Sequence, residues 1–134
     1  MKYLFLVFYL LLVSRSHAQH NPTDPARSVK VIMIMEITVH DTILYQQYKT
    51  EISPIVKKYG GKYIVRSGKA TTGGDPQNQI IPGEGGWNPD RIIVTEWNSM
   101  DALKKFSQSE ECIRISEMRK KSATSRSVIV NEYQ

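Results

Sequence analysis

Cysteine occurs once in the 134 residues, at Cys112, and a single thiol excludes an intrachain disulfide. Histidine is nearly as scarce, and of the three only His40 lies outside the N-terminal stretch. No histidine or cysteine cluster is available to ligate a metal, so no metal site is expected. No Ser-His-Asp constellation is legible either, which argues against a hydrolase of that kind. Long apolar runs are also missing: Tyr3 to Val13 falls short of the roughly 20 residues that span a bilayer, so no stable membrane anchor is expected. The basic excess (18 Lys+Arg against 13 Asp+Glu) contains one notable run, Arg119-Lys120-Lys121, without interleaved aromatics. Nucleic acid is therefore not an expected partner.

What is present begins with a leader. Lys2 supplies a positive end, Tyr3 to Val13 an apolar stretch, and Ser16-His17-Ala18 the small residues that a signal peptidase reads. Residues 1–18 are expected to be a signal peptide cleaved after Ala18, making the mature protein secreted or periplasmic. Losing Lys2 and Arg15 lowers the formal charge from +5 to +3. Residues 19–28, with Asn21, Pro22, Asp24 and Pro25, read as a flexible arm, and residues 29–134 as one domain. Without disulfides, an exported domain must rely on packing or on a second subunit. Cys112, in helical spacing with Ile115 and Met118, is expected to be a small buried hydrophobe.

Within the domain, Lys30 to Val39 alternates with apolar residues on both faces, which predicts a central strand covered on two sides. Glu36 is then a carboxylate on a mostly apolar face, or a strand-end group reaching solvent or a lysine. Asp41 caps a helix carrying Tyr45, Tyr48, Ile52, Val56 and Tyr59, with a break or kink expected near Ser53 because Pro54 lacks the amide donor. Gly60-Gly61 ends the helix and a strand follows at once. Simple alternation there puts Tyr63 and Val65 on one face and Lys62, Ile64 and Arg66 on the other. Ala70 to Asp90, rich in glycine and proline, is a long loop without a phosphate-binding pattern. Arg91 to Trp97 is a third strand. Asn98 to Asp101 caps a second helix that restarts at Ser109, Ala123 to Arg126 is expected to turn, and Ser127 to Tyr133 is the last strand.

The order β-α-β-β-α-β predicts an α+β, ferredoxin-like fold: a four-stranded antiparallel sheet with two helices on one face. The other face is also apolar, and a second copy related by a two-fold axis is its simplest cover, so a homodimer is expected. Glu96 shares a face with Ile92 and Val94, where a carboxylate should meet a ligand cavity or a buried arginine. Arg66 is expected beside it on the helix-free face.

Tyr45 and Tyr48 before Pro54, the stretch Lys58 to Gly68, the stretch Trp87 to Trp97, Ser109-Glu110, and Arg119 with Ala123 to Arg126 together resemble the domain-of-unknown-function family 1330, over roughly Ser28 to Tyr133. That resemblance implies the dimeric α/β-barrel superfamily, whose relatives include cofactor-free monooxygenases, muconolactone isomerases and haem enzymes. Asn98 stands where the family often has proline, and the loop from Thr71 to Gly86 is longer than usual. Two functions follow as expectations. One is binding of, and action on, a small anionic or oxygenated, aromatic molecule by a cofactor-independent monooxygenase or isomerase. Arg66 would orient that ligand, Glu96 or His40 would move a proton, Trp87 would close the pocket, and Tyr48 and Arg91 would contribute to binding; no cofactor is expected. The other is a non-catalytic dimeric binding or structural protein in which Arg66 and Glu96 neutralise each other.

Overall fold

Val31–Val39 (β1) is the inner strand on which the sheet is built. It pairs antiparallel with Arg91–Trp97 (β3) on one side and with Ala123–Asn131 (β4) on the other, and Lys62–Gly68 (β2) adds to β3. The strand order is therefore β2-β3-β1-β4. These statements come from a computed structural model that describes residues 28–133. The leader and all but the last residue of the arm lie outside the described residues.

Thr42–Lys58 (α1) starts where the Asp41 carboxylate accepts from the Leu44 amide at 3.0 Å. It runs through Pro54 without the expected break. Buried Tyr45, Ile52 and Val56 lie on both sides of the proline, and their packing against the sheet offsets the lost amide donor. The Gly61 amide returns to the Val56 carbonyl at 2.8 Å after Gly60 has taken φ 82°. Gly61 then lies flat on an indole: an added Cβ would stand 2.5 Å from the Trp97 ring.

Met100–Ser107 (α2) and Glu110–Ser122 (α3) form the second crossover, capped by the hydroxyls of Ser99 and Ser109. The restart at Ser109 divides the second helix in two. The expected turn over residues 123–126 is instead the first part of β4. The backbone changes from helical to extended at Ala123 (φ −155°, ψ 154°), and the Ser122 carbonyl accepts from the His40 and Asp41 amides at 2.8 and 3.0 Å. With that junction pinned to the end of β1, Thr124, Ser125 and Arg126 pair directly with Thr38, Ile37 and Glu36. The main core joins Trp97, whose ring centre is 4.8 Å from that of Phe106, to Val31, Ile52, Val56, Leu103, Cys112 and Ile115. Cys112 is buried there as a free thiol.

Candidate functional site

The faces of β2 depend on one residue. Tyr63 pairs with Thr95, but Val65 pairs with Val94 and Arg66 with Ile93, so the ladder carries a bulge at Ile64. An extra residue in one strand reverses every later side chain relative to its partner strand. Arg66 consequently joins Ile93 and Thr95 on the face covered by the helices. Glu96 points from the opposite face, where Lys30 donates to it at 3.1 Å. The expected Arg66–Glu96 pair on the helix-free face is therefore corrected: the bulge puts the sheet between them.

The helix-covered face encloses a cavity of about 370 Å³, within the range usual for small-molecule sites, about 300–1,000 Å³. Its floor is Met33, Met35 and Ile93, and α1 contributes Tyr45, Tyr48 and Ile52. The rings of Tyr45 and Tyr48 are 5.5 Å apart. Burial pushes the Tyr45 phenol up to about 12, against the pull of Arg91 and Arg119, and raises Tyr48 further. Burial also raises Tyr63, whose ring centre lies 4.6 Å from the Arg66 guanidinium carbon. The phenols thus remain protonated donors through the physiological range.

Cations gather at one end. Lys49 and Arg66 line this cavity and also an adjoining pocket of about 360 Å³ that Arg91, Gly73 and Asp75 share. Lys49 donates to the Gly73 carbonyl at 2.8 Å, and Arg91 Nη1 donates to the Thr72 carbonyl at 3.0 Å. Among the described residues no carboxylate forms an ion pair with Lys49, Arg66 or Arg91. Asp75 is engaged by its own loop, through the Gln77 amide and the Asn78 side chain. Burial, and then the charges of Arg91 and Arg66, push the Lys49 amine down to about 8. Such an amine can exchange a proton near neutral pH.

Of the residues expected to form a site, Arg66 and Tyr48 meet in the cavity and Arg91 stands in the adjoining pocket. The other three lie elsewhere. His40 is exposed, with Nε2 hydrogen-bonded to Thr124 at 2.8 Å. Trp87 is 54% exposed and lines neither pocket. Glu96 faces away. The lining residues that were not anticipated include Lys49, four residues after Tyr45 and so on the same helix face, and Arg119, which reaches Ser125 and Met35 from α3. The helical period could have found Lys49. Among the described residues no three of His, Cys, Asp and Glu gather to hold a metal ion, and no helix is long and apolar enough to cross a membrane.

The family described as Domain of unknown function (DUF1330) matches residues 30–133. No curated protein matches the chain. A protein of unknown function from Rhodopseudomonas palustris superposes with TM-score 0.62 at 13% identity, over 81% of this chain and 85% of its own. SnoaB, a cofactor-independent oxygenase from Streptomyces nogalater, gives 0.55 at 10% identity, over 80% and 96%. A dimeric ferredoxin-like protein of unknown function from Thermobifida fusca gives 0.52 at 11% identity, over 79% and 93%. At these identities the likeness is one of fold, and the fold is ferredoxin-like.

Proposed function

Because the chain belongs to the DUF1330 family, a domain of unknown function, we propose a function from the cavity: it binds a small anion with an apolar or aromatic body between the sheet and the helices. The observation that carries this reading is an apolar chamber with Lys49 and Arg66 at its mouth and no carboxylate paired to either among the described residues. A guanidinium grips a carboxylate through two parallel hydrogen bonds, or a phenolate through its one oxygen, while the aliphatic floor takes up the hydrocarbon.

Lys49 is the proton acceptor in this reading. Its neutral amine takes the proton of an acidic O–H or C–H, becoming ammonium, and leaves an anion that Arg66 stabilises. An isomerase or a cofactor-independent oxygenase requires such a step, and the fold shared with the Streptomyces oxygenase is in keeping with it. The working form is an exported homodimer joined through the helix-free face of the sheet; the dimeric neighbour from Thermobifida fusca supports the two-copy state alone.

Calorimetric titration with 2-naphthoate tests the binding. Arg66→Met should weaken it about tenfold, the value of one charge-assisted contact. Glu96→Gln should not change it, because Glu96 lies beyond the sheet. Equal affinity of the wild-type and Arg66→Met proteins would overturn the reading. One observation favours binding without turnover: among the described residues, those lining the cavity include no Asp, Glu or His. Substrate proton exchange into deuterated solvent, lost in Lys49→Met, separates the enzyme from the binder.

A further inference from the structure

Arg66 pairs with Ile93, Ile93 with Met35, and Met35 with Ser127, so these four residues form one row straight across the sheet. All four line the cavity. Arg66 and Ser127, at the ends, are exposed, whereas Ile93 and Met35 between them are half-buried. Three strand spacings separate the ends, roughly 14 Å. The row therefore reads cation, apolar, apolar, hydroxyl.

A second cation stands over the hydroxyl end. Arg119 Nη1 donates to Ser125 and lies 3.7 Å from the Met35 sulfur, and the guanidinium carbon is 6.0 Å from the centre of the Tyr48 ring. Its Nε is buried without a hydrogen-bond partner among the described residues. The side chain forms no ion pair with a described carboxylate, and Lys120 beside it also lines the cavity. A half-buried guanidinium whose Nε meets no acceptor among the described residues can take one that a ligand carries.

Resting on the function proposed above, we infer that the ligand is two-headed: one carboxylate at Arg66 and Lys49, a second oxyanion at Arg119 and Ser127, and a flat apolar body lying across the strands on Ile93 and Met35. A single-headed acid satisfies one end only. A dicarboxylate with the heads at opposite ends of a rigid aromatic body satisfies both, and the four-residue row sets its direction.

The test compares naphthalene-2,6-dicarboxylate with 2-naphthoate by calorimetry on the full chain. The dicarboxylate should bind about tenfold more tightly. Arg119→Met should remove that preference, whereas Arg66→Met should weaken both probes. Ser127→Glu at an exposed position puts a carboxylate against the second head without disturbing the core. It should abolish the preference even if Arg119→Met does not fold. Equal affinities in the wild-type protein, or a preference that survives Ser127→Glu, would overturn the inference and leave the proposed binding of an anion standing. If neither probe binds, the proposed function fails and the inference fails with it.

Discussion

The Arg91 guanidinium carbon lies 5.5 Å from the centre of the Tyr45 ring, joining the start of β3 to the first turn of α1. Arg91 is only 2% exposed, and burial holds its guanidinium below the usual arginine range. Across the ladder is Gly68, where an added Cβ would stand 2.9 Å from that same carbon. The glycine is what lets the arginine lie down beside the sheet.

Gly68→Ala should therefore push Arg91 off Tyr45 and off the Thr72 carbonyl, and Gly61→Ala should drive a methyl into the rigid Trp97 ring. Each is expected to cost about 1–3 kcal/mol, as overpacking does. Gly83, with nothing within 4 Å of an added Cβ and a negative φ of −101°, is the control. Its alanine variant should stay within about 0.5 kcal/mol of the parent in urea denaturation. A Gly68→Ala protein as stable as the control would mean that Arg91 is loosely held.

Strand alternation was enough to identify β1 and β3 and to assign their faces, because Val31 and Ile37 in β1, and Arg91, Thr95 and Trp97 in β3, stand at even spacing and are buried on one side. It failed on β2 for a physical reason. A bulge is decided by how two ladders meet, and nothing in Lys62 to Arg66 marks the extra residue with glycine or proline. One unmarked residue moved Arg66 to the other face and replaced Glu96 with Lys49 as its neighbour. The polar run after Ser122 is a second case of the same kind. Thr, Ser and Arg there suggest a turn, but pairing with Glu36, Ile37 and Thr38 is a tertiary fact. Lys49 was accessible from helical spacing; the Gly73 carbonyl that holds it was not, since a long loop gives no period.

The proposed export can be read from the chain terminus. Mass spectrometry of the protein from its native host should find Gln19 first, with Lys2 and Arg15 removed along with the leader. An intact Met1 terminus in the folded protein would sink this part of the proposal.

The proposed dimer follows from what the helix-free face leaves to water. Val128 and Val130 are 58% and 45% exposed, beside half-buried Ile32, Ile34, Ile92 and Val94. The ion pairs Glu36–Arg126, at 2.6 Å, and Glu96–Lys30, at 3.1 Å, lie on the same face. A continuous aliphatic surface of this kind is rarely left uncovered. Sedimentation should give twice the monomer mass without oxidant, because Cys112 is buried. Val128→Asp together with Ile34→Asp should yield monomers, since each charge would be desolvated against its mate. A parent protein that sediments as a monomer at micromolar concentration would show that the face is not an interface.

The pH dependence of stability and binding should carry the signature of Lys49. Its pKa falls to about 8 in the folded protein, against an unfolded value of about 10.4. Between those values the unfolded chain holds more protons, so stability should rise with pH from near 8 toward 10. Tyr45, Tyr48 and Tyr63 act in the opposite sense. Burial raises each of them, to about 12 for Tyr45, so above pH 10 the unfolded chain releases protons first and stability should fall. The melting temperature should thus pass through an alkaline maximum. Lys49→Met should flatten the rising limb and leave the falling one. Binding of 2-naphthoate should weaken as pH passes 8 and Lys49 loses its charge, while proton abstraction by its free amine should strengthen across the same interval. A wild-type affinity independent of pH between 7 and 9 would remove Lys49 from the site.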